Sequence, residues 1–224
     1  MTASASKAEG RPLVCAALRI EARAIRKGWP DADIAVVGMR APHLDRVERH
    51  DGPVVLLGFG GGLDPRQRPG DIVVATDISD KNGQTALPAA SKALSTLRRA
   101  GLTASGGPLW CSDVIVRGGQ RAGLARSAVA VDMESARVVA ACDRRRLVVA
   151  RVVVDTPRRG LVLASIFGGR RARRALRAVA AALAADTQPV TDTQPAADVS
   201  ITSGTVAMAA HARTAAHART TEEG

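Results

Sequence analysis

The chain has 224 residues, enough for one substantial α/β domain with a buried core but short for two full domains. Hydrophobic residues make up 46% and aromatics only 2%, so the core is expected from Val, Leu, Ile and Ala, and any ligand site is poor in stacking surface. The net charge of +11 points to anionic partners, yet the aromatic platforms that single-strand binders interleave with basic residues are missing, which ranks nucleic acid low.

Met1 to Arg11 has no apolar stretch of the signal-peptide kind, and residues 1–11 read as a flexible N-terminus. Pro12 to Leu18 is a short apolar run suited to a buried strand. Glu21 to Lys27 continues with helix formers until Gly28 and Pro30 stop it. Ile34 to Val37 predicts a second strand ending at Gly38, and Ala41 to His50 predicts a helix that begins near Pro42. Val54 to Leu57 is a third buried strand, and it empties into Gly58-Phe59-Gly60-Gly61-Gly62-Leu63-Asp64-Pro65. A glycine turn after a buried strand is either structural or a cradle whose N–H groups approach an anion or ribose closely. Its spacing is not that of a dinucleotide fingerprint.

Pro69-Gly70-Asp71 predicts a turn into a strand at Ile72 to Thr76, and polar Asp77 to Thr85 predicts a loop able to cover a pocket. Ala89 to Ala100 has helical periodicity and stops at Gly101. Ser105 to Pro108 then predicts a turn, with a short strand at Leu109 to Cys111 and a loop at Ser112 to Val116. Ala128 to Val131 is strand-like and Met133 to Cys142 helical, so Asp132 and Glu134 fall at a strand-to-helix junction. Asp132 can cap that helix. Glu134, at a sheet edge beside the glycine stretch, is placed to accept hydrogen bonds from sugar hydroxyls. Leu147 to Val154 is the most strand-like run of the chain and delivers Asp155, which either starts a turn or serves as a catalytic acid.

Arg170, Arg171, Arg173, Arg174 and Arg177 crowd one predicted helix that continues to Leu183. They form a solvated face or a contact to an anionic membrane surface. Residues 186–224 repeat Asp-Thr-Gln-Pro and His-Ala-Arg-Thr and read as a low-complexity, disordered tail. The domain is therefore expected over 12–185. Cys15, Cys111 and Cys142 sit in or beside apolar runs without close spacing, as inert reduced thiols do, and no uncharged run reaches the length of a membrane span. A cytoplasmic protein, peripheral to the membrane at most, is expected.

Four motifs in series carry a resemblance: the Gly58 to Pro65 stretch, Pro69 to Val74, Val131-Asp132-Met133-Glu134-Ser135, and Arg151-Val152-Val153-Val154-Asp155. Together, over residues 12 to 185, they resemble the purine nucleoside phosphorylase and methylthioadenosine nucleosidase superfamily, and most of all its hopanoid-associated phosphorylases. The resemblance implies an α/β, three-layer phosphorylase/hydrolase-like fold, with a mixed, mainly parallel twisted sheet flanked by helices. It implies a homo-oligomer that cleaves the N-glycosidic bond of a purine nucleoside, releasing adenine from adenosylhopane. Methylthioadenosine, S-adenosylhomocysteine and ordinary purine nucleosides remain open as substrates, and so does a degenerate scaffold that only binds anionic surfaces.

The resemblance also assigns roles. Asp155 matches the acid that meets N7 of the purine, and Glu134 the residue that binds ribose hydroxyls and stabilises the cationic sugar. Met133 packs on the sugar face. Glu21 matches the acid that orients an attacking water. If the nucleophile is inorganic phosphate as co-substrate, Gly58, Phe59, Gly60 and Gly61 with Arg40 are expected to hold it. Ile115, with Val114, stands where the nucleosidases often place a phenylalanine against the base. The chemistry requires no metal and no organic cofactor.

Overall fold

The computed structural model describes residues 10–156 and 169–187. Most of the segment 1–11 expected to be flexible and nearly all of the tail expected over 186–224 lie outside them. The chain divides into two units at Pro189, and every described residue lies in the first.

Among the described residues, eight strands form one sheet: β1 (Leu13–Ala16), β2 (Asp33–Val36), β3 (Val54–Gly62), β4 (Ile72–Asp80), β5 (Gly83–Ala86), β6 (Ala104–Cys111), β7 (Ala130–Asp132) and β8 (Leu147–Asp155). The pairs β1–β2, β1–β3, β3–β8, β4–β6 and β6–β7 are parallel; β3–β7, β4–β5 and β4–β8 are antiparallel. The sheet is mixed and mainly parallel, as expected. It also closes on itself, because β3, β8, β4, β6 and β7 pair in sequence and β7 returns to the end of β3.

Alternation along the strands separates two apolar cores. Val14, Val55, Leu57 and Ala150 face one side, where they meet α1 (Arg19–Gly28), α3 (Ala90–Arg99) and α6 (Arg170–Thr187). Leu13, Cys15, Leu56 and Val149 face the other, beneath α2 (Asp45–Glu48) and α5 (Ser135–Ala141). A period of two that is apolar on both faces is what a sheet covered by helices on both sides demands. A short helix, α4 (Gly118–Leu124), follows β6 and had no counterpart among the expected elements. Helix α6 runs to Thr187, past the boundary expected at 185.

Four expectations are corrected. The glycine stretch is strand rather than turn: β3 continues through Gly62, pairing with β8 as far as Gly61 across a register shift after Gly60, and with β7 at Gly61 and Gly62. None of Gly58, Gly60, Gly61 or Gly62 has positive φ, so close approach, not turn geometry, requires them. The Asp77 to Thr85 stretch is a β-hairpin, with Asp77 opposite Ala86 and Asp80 opposite Gly83. Ser105 to Pro108 belongs to β6, whose Gly107 leaves room for Val129 from the loop before β7. Only Asp45–Glu48 of the expected Ala41 to His50 helix is helical. The chain instead turns sharply, with φ of 81° at Gly38, 64° at Arg40 and 47° at Ala41.

Candidate active site

The C-terminal ends of β1, β3, β7 and β8 meet at one cleft of about 160 Å³. Register does the placing: Gly61 of β3 pairs with Val131 of β7 on one edge and with Asp155 of β8 on the other. Among the expected site residues, Glu21, Phe59, Gly60, Gly61, Ile115, Asp132, Met133, Glu134 and Asp155 all border the cleft. Gly58 and Arg40 do not.

The carboxylates are buried, with Glu21 2%, Asp132 5%, Glu134 5% and Asp155 3% exposed. Buried charge needs a partner, and two arginines absent from the expected site supply it. Arg151, fully buried in the middle of β8, donates from Nε to Asp132 Oδ2 at 2.8 Å, from Nη2 to the same oxygen, and from Nη2 to Glu134 Oε2 at 3.3 Å. Burial works against its charge, but the carboxylates of Asp132, Glu134 and Glu21 outweigh this and hold its pKa above the usual value. Its Nη1 has no partner among the described residues. Arg121 of α4, also buried, donates from Nη2 to Asp155 Oδ2 at 2.6 Å and from Nε to the Val116 carbonyl at 3.2 Å.

The glycines are the complement of these charges. A Cβ on Gly58 would stand 2.6 Å from Arg151 Nη1 and 2.7 Å from Glu21 Oε1. One on Gly61 would stand 2.6 Å from Arg121 Nη2 and 3.1 Å from Asp155 Oδ1. The backbone of β3 is bare so that charged side chains from α1, α4 and β8 can lie against it. It is not an open anion cradle, since the Phe59 N–H is already committed to Glu21 Oε1 at 2.6 Å.

Glu21 also accepts from the Leu18 N–H at 2.8 Å, which closes the first turn of α1. Burial pushes its carboxyl from the ordinary 4.5 up to about 7, against the opposing pull of Arg151 and of both N–H groups. Glu134 accepts the Arg40 N–H at 3.1 Å. The left-handed turn at Arg40 and Ala41 has a use here: it aims a backbone donor at Glu134, and Arg137 Nη1 pins the turn by donating to the Arg40 carbonyl at 2.8 Å. Arg40 therefore contributes its main chain, while its exposed side chain stands outside the cleft. Burial, joined by the charge of Asp132, raises the Glu134 carboxyl, and Arg151 opposes the rise. The N-cap of α5 is Glu134 rather than the Asp132 expected from the sequence; Asp132 Oδ1 instead accepts from Ser135 Oγ at 2.7 Å, while its other oxygen takes Arg151. Burial likewise raises the Asp155 carboxyl, with Arg121 pulling it down.

Across the cleft the chemistry is segregated. One end holds Glu21, Glu134 and Asp132 around Arg151; the other holds Asp155 with Arg121. Met39, Val114 and Ile115 form an exposed apolar rim. Such an arrangement can bind hydroxyls and a developing cation at its anionic end, and can give a proton or hydrogen bond to a leaving group at the other. Among the described residues, no three His, Cys, Asp or Glu side chains are grouped to hold a metal ion, and no helix is long and apolar enough to cross a membrane.

The family model described as the phosphorylase superfamily matches residues 28–185. No curated protein sequence matches the chain. Among solved structures, a futalosine hydrolase mutant of Helicobacter pylori strain 26695 aligns with a TM-score of 0.64 at 14% identity, covering 77% of this chain and 97% of its own. The 5'-methylthioadenosine/S-adenosylhomocysteine nucleosidase of Campylobacter jejuni aligns with a TM-score of 0.64 at 13% identity, over 78% and 99%. That of Neisseria meningitidis, in complex with methylthio-immucillin-A, aligns with 0.63 at 17%, over 79% and 100%. At these identities the likeness is one of fold.

Proposed function

The chain belongs to the phosphorylase superfamily and is an enzyme of nucleoside N-glycosidic bond cleavage, and we propose that it releases a purine from its nucleoside by hydrolysis. The observation that carries the choice of water is the pairing of Glu21 with an orphaned donor. A cleft-facing carboxyl with a pKa of about 7 lies beside Arg151 Nη1, a buried N–H without a partner among the described residues. A carboxylate titrating near neutrality is suited to take a proton from water. The features expected to hold phosphate support that nucleophile poorly, because the glycine stretch is a paired strand and the Arg40 side chain lies outside the cleft.

In this reading the nucleoside spans the cleft with its ribose at the anionic end. Glu134 accepts the ribose hydroxyls and, with Asp132 behind it, opposes the positive charge that grows as the C1'–N9 bond lengthens. Met133 packs on the sugar. Water attacks C1' and gives its proton to Glu21, while the bonding pair leaves with the base. Asp155 supplies the proton at N7. Its Oδ2 stays on Arg121, and Oδ1 carries the proton, which burial favours. Arg121 thus fixes the orientation of the acid without having to give up its own proton.

For the substrate, we propose adenine as the base and a large apolar 5' substituent, adenosylhopane being the candidate. The exposed apolar rim of Met39, Val114 and Ile115 supports this, since so much apolar surface at the mouth of a charged cleft suits a greasy group leaving it. The test is adenine release from adenosylhopane, methylthioadenosine and adenosine, each with and without phosphate. The expected result is release without phosphate, fastest from adenosylhopane and lost in Asp155→Asn. A strict phosphate requirement refutes the hydrolytic step, and preference for methylthioadenosine refutes the 5' assignment. No release from any of them by folded protein refutes the activity.

A further inference from the structure

A second concavity, of about 500 Å³, lies between α1 and α6. Six cations line it: Arg23 and Lys27 from α1, and Arg170, Arg173, Arg174 and Arg177 from α6. Ile20 and Ala24 supply its apolar lining, and among the described residues no acidic one borders it. Helical spacing explains the convergence. Arg23 and Lys27 are four apart, and the four arginines of α6 follow an i, i+3, i+4, i+7 pattern, so each set occupies one stripe of its helix. The opposite stripe of α6, with Ala172, Leu176, Val179 and Leu183, is buried in the core and fixes how the helix is turned.

A solvated face would carry cations too, and exposed arginines elsewhere, Arg49 and Arg144 among them, also lack a salt bridge among the described residues, so it is the convergence of six in one concavity that sets the groove apart; other surface arginines are paired. Arg46 pairs with Asp33, Arg66 with Asp64, Arg99 with Asp186 and Arg145 with Asp143. None of the six groove cations makes a salt bridge among the described residues. Six like charges drawn into one concavity repel one another unless an anion joins them. We infer that the groove between α1 and α6 is a binding site for a phosphate-rich anion. Arginine forks suit phosphate oxygens, and several within one concavity suit two or more phosphates together. Among the described residues the lining has no aromatic side chain on which a nucleobase could stack, and its cations favour the phosphates themselves.

The phosphates can belong to a soluble molecule or to lipid headgroups, and two arms separate these sources. One measures binding of inorganic tripolyphosphate by calorimetry; the other measures sedimentation with vesicles of phosphatidylglycerol and phosphatidylcholine against phosphatidylcholine alone. Both are run with the full chain, with the groove variant Arg173→Gln/Arg177→Gln, and with the charge-matched control Arg49→Gln/Arg144→Gln. Glutamine keeps the helix propensity, and all four positions are exposed, so every variant folds. We expect at least one probe to bind, with affinity lowered about tenfold or more by the groove substitutions and nearly unchanged by the control. Tripolyphosphate binding identifies a soluble ligand; binding to the anionic vesicles alone identifies headgroups. Equal weakening in both variants would mean that overall charge attracts the probe and would overturn the site, as would no binding in either arm. Adenine release stays at its wild-type rate in both variants, because none of the four residues borders the cleft.

Discussion

Replacing Glu21 with Gln isolates the cost of holding a carboxylate in the floor of the cleft. Burial raises this group from 4.5 to about 7. The unfolded chain releases the proton near pH 4.5, whereas the folded protein keeps it until about 7, so between those values the native state binds more protons and stability falls as pH rises. The contribution is fully present below 4.5 and lost above 7. At about 1.4 kcal/mol per pH unit, the loss amounts to about 3 kcal/mol. Gln cannot titrate, so this slope vanishes. It carries a separate, pH-independent penalty of about 1–3 kcal/mol, because its NH2 must face the Leu18 or the Phe59 N–H, where Glu presents two acceptors. Urea unfolding of both proteins from pH 4 to 8 separates the two effects. The variant should be the less stable at pH 4 and should match or exceed the wild type at pH 8. A stability difference that stays constant across the range would refute the raised pKa, and with it the case for Glu21 as the base.

The other predictions follow from the same geometry. Arg151→Met removes the cation that lies among Asp132, Glu134 and Glu21, and unfolding free energy should drop by about 3–5 kcal/mol, the cost of stranding buried charge; a variant as stable as the wild type in urea would show that the carboxylates do not depend on it. Gly61→Ala drives a methyl toward Arg121 Nη2 and Asp155 Oδ1, and should lower the rate of base release about a hundredfold while Ile115→Ala, at the 44% exposed rim, changes mainly KM for the apolar substrate. Burial pushes the Cys15 and Cys111 thiols up to about 12 and Cys142 to about 11, so a thiol reagent at pH 8 should label none quickly in the native protein and all three after denaturation.

The strands were legible because buried β structure covered on both faces leaves a near-continuous apolar run, and Leu13, Val54 and Leu147 each open one. The carboxylates were legible for a related reason: an acid at the end of such a run, as at Asp132 and Asp155, stands where the strand leaves the core. What the sequence hid lies in the partners. Arg151 interrupts the most apolar run of the chain, and a charge inside a buried strand demands a buried counter-charge; that demand was the available signal, and it pointed at Asp132 and Glu134. Arg121 offered none, since it sits in a short helix, Gly118–Leu124, with two glycines at its start and no apolar period.

The glycines show why reading residues one at a time fails at this site. A glycine run ordinarily marks a turn, because no other residue accepts positive φ so readily. Here the run is extended strand, and its composition reflects what crosses it rather than how it bends. Arg151 lies against Gly58 and Gly60, Glu21 against Gly58, and Arg121 and Asp155 against Gly61. The bare strand and the buried charges therefore require each other. A side chain at these glycines would push the arginines away from their carboxyl partners, while without those partners the acids would stand so deep in the sheet with no counter-charge. Charge burial and backbone exposure together make a cleft with its two chemistries held at opposite ends, and neither could be inferred from Gly58 to Gly62 until the residues lying on them were in view.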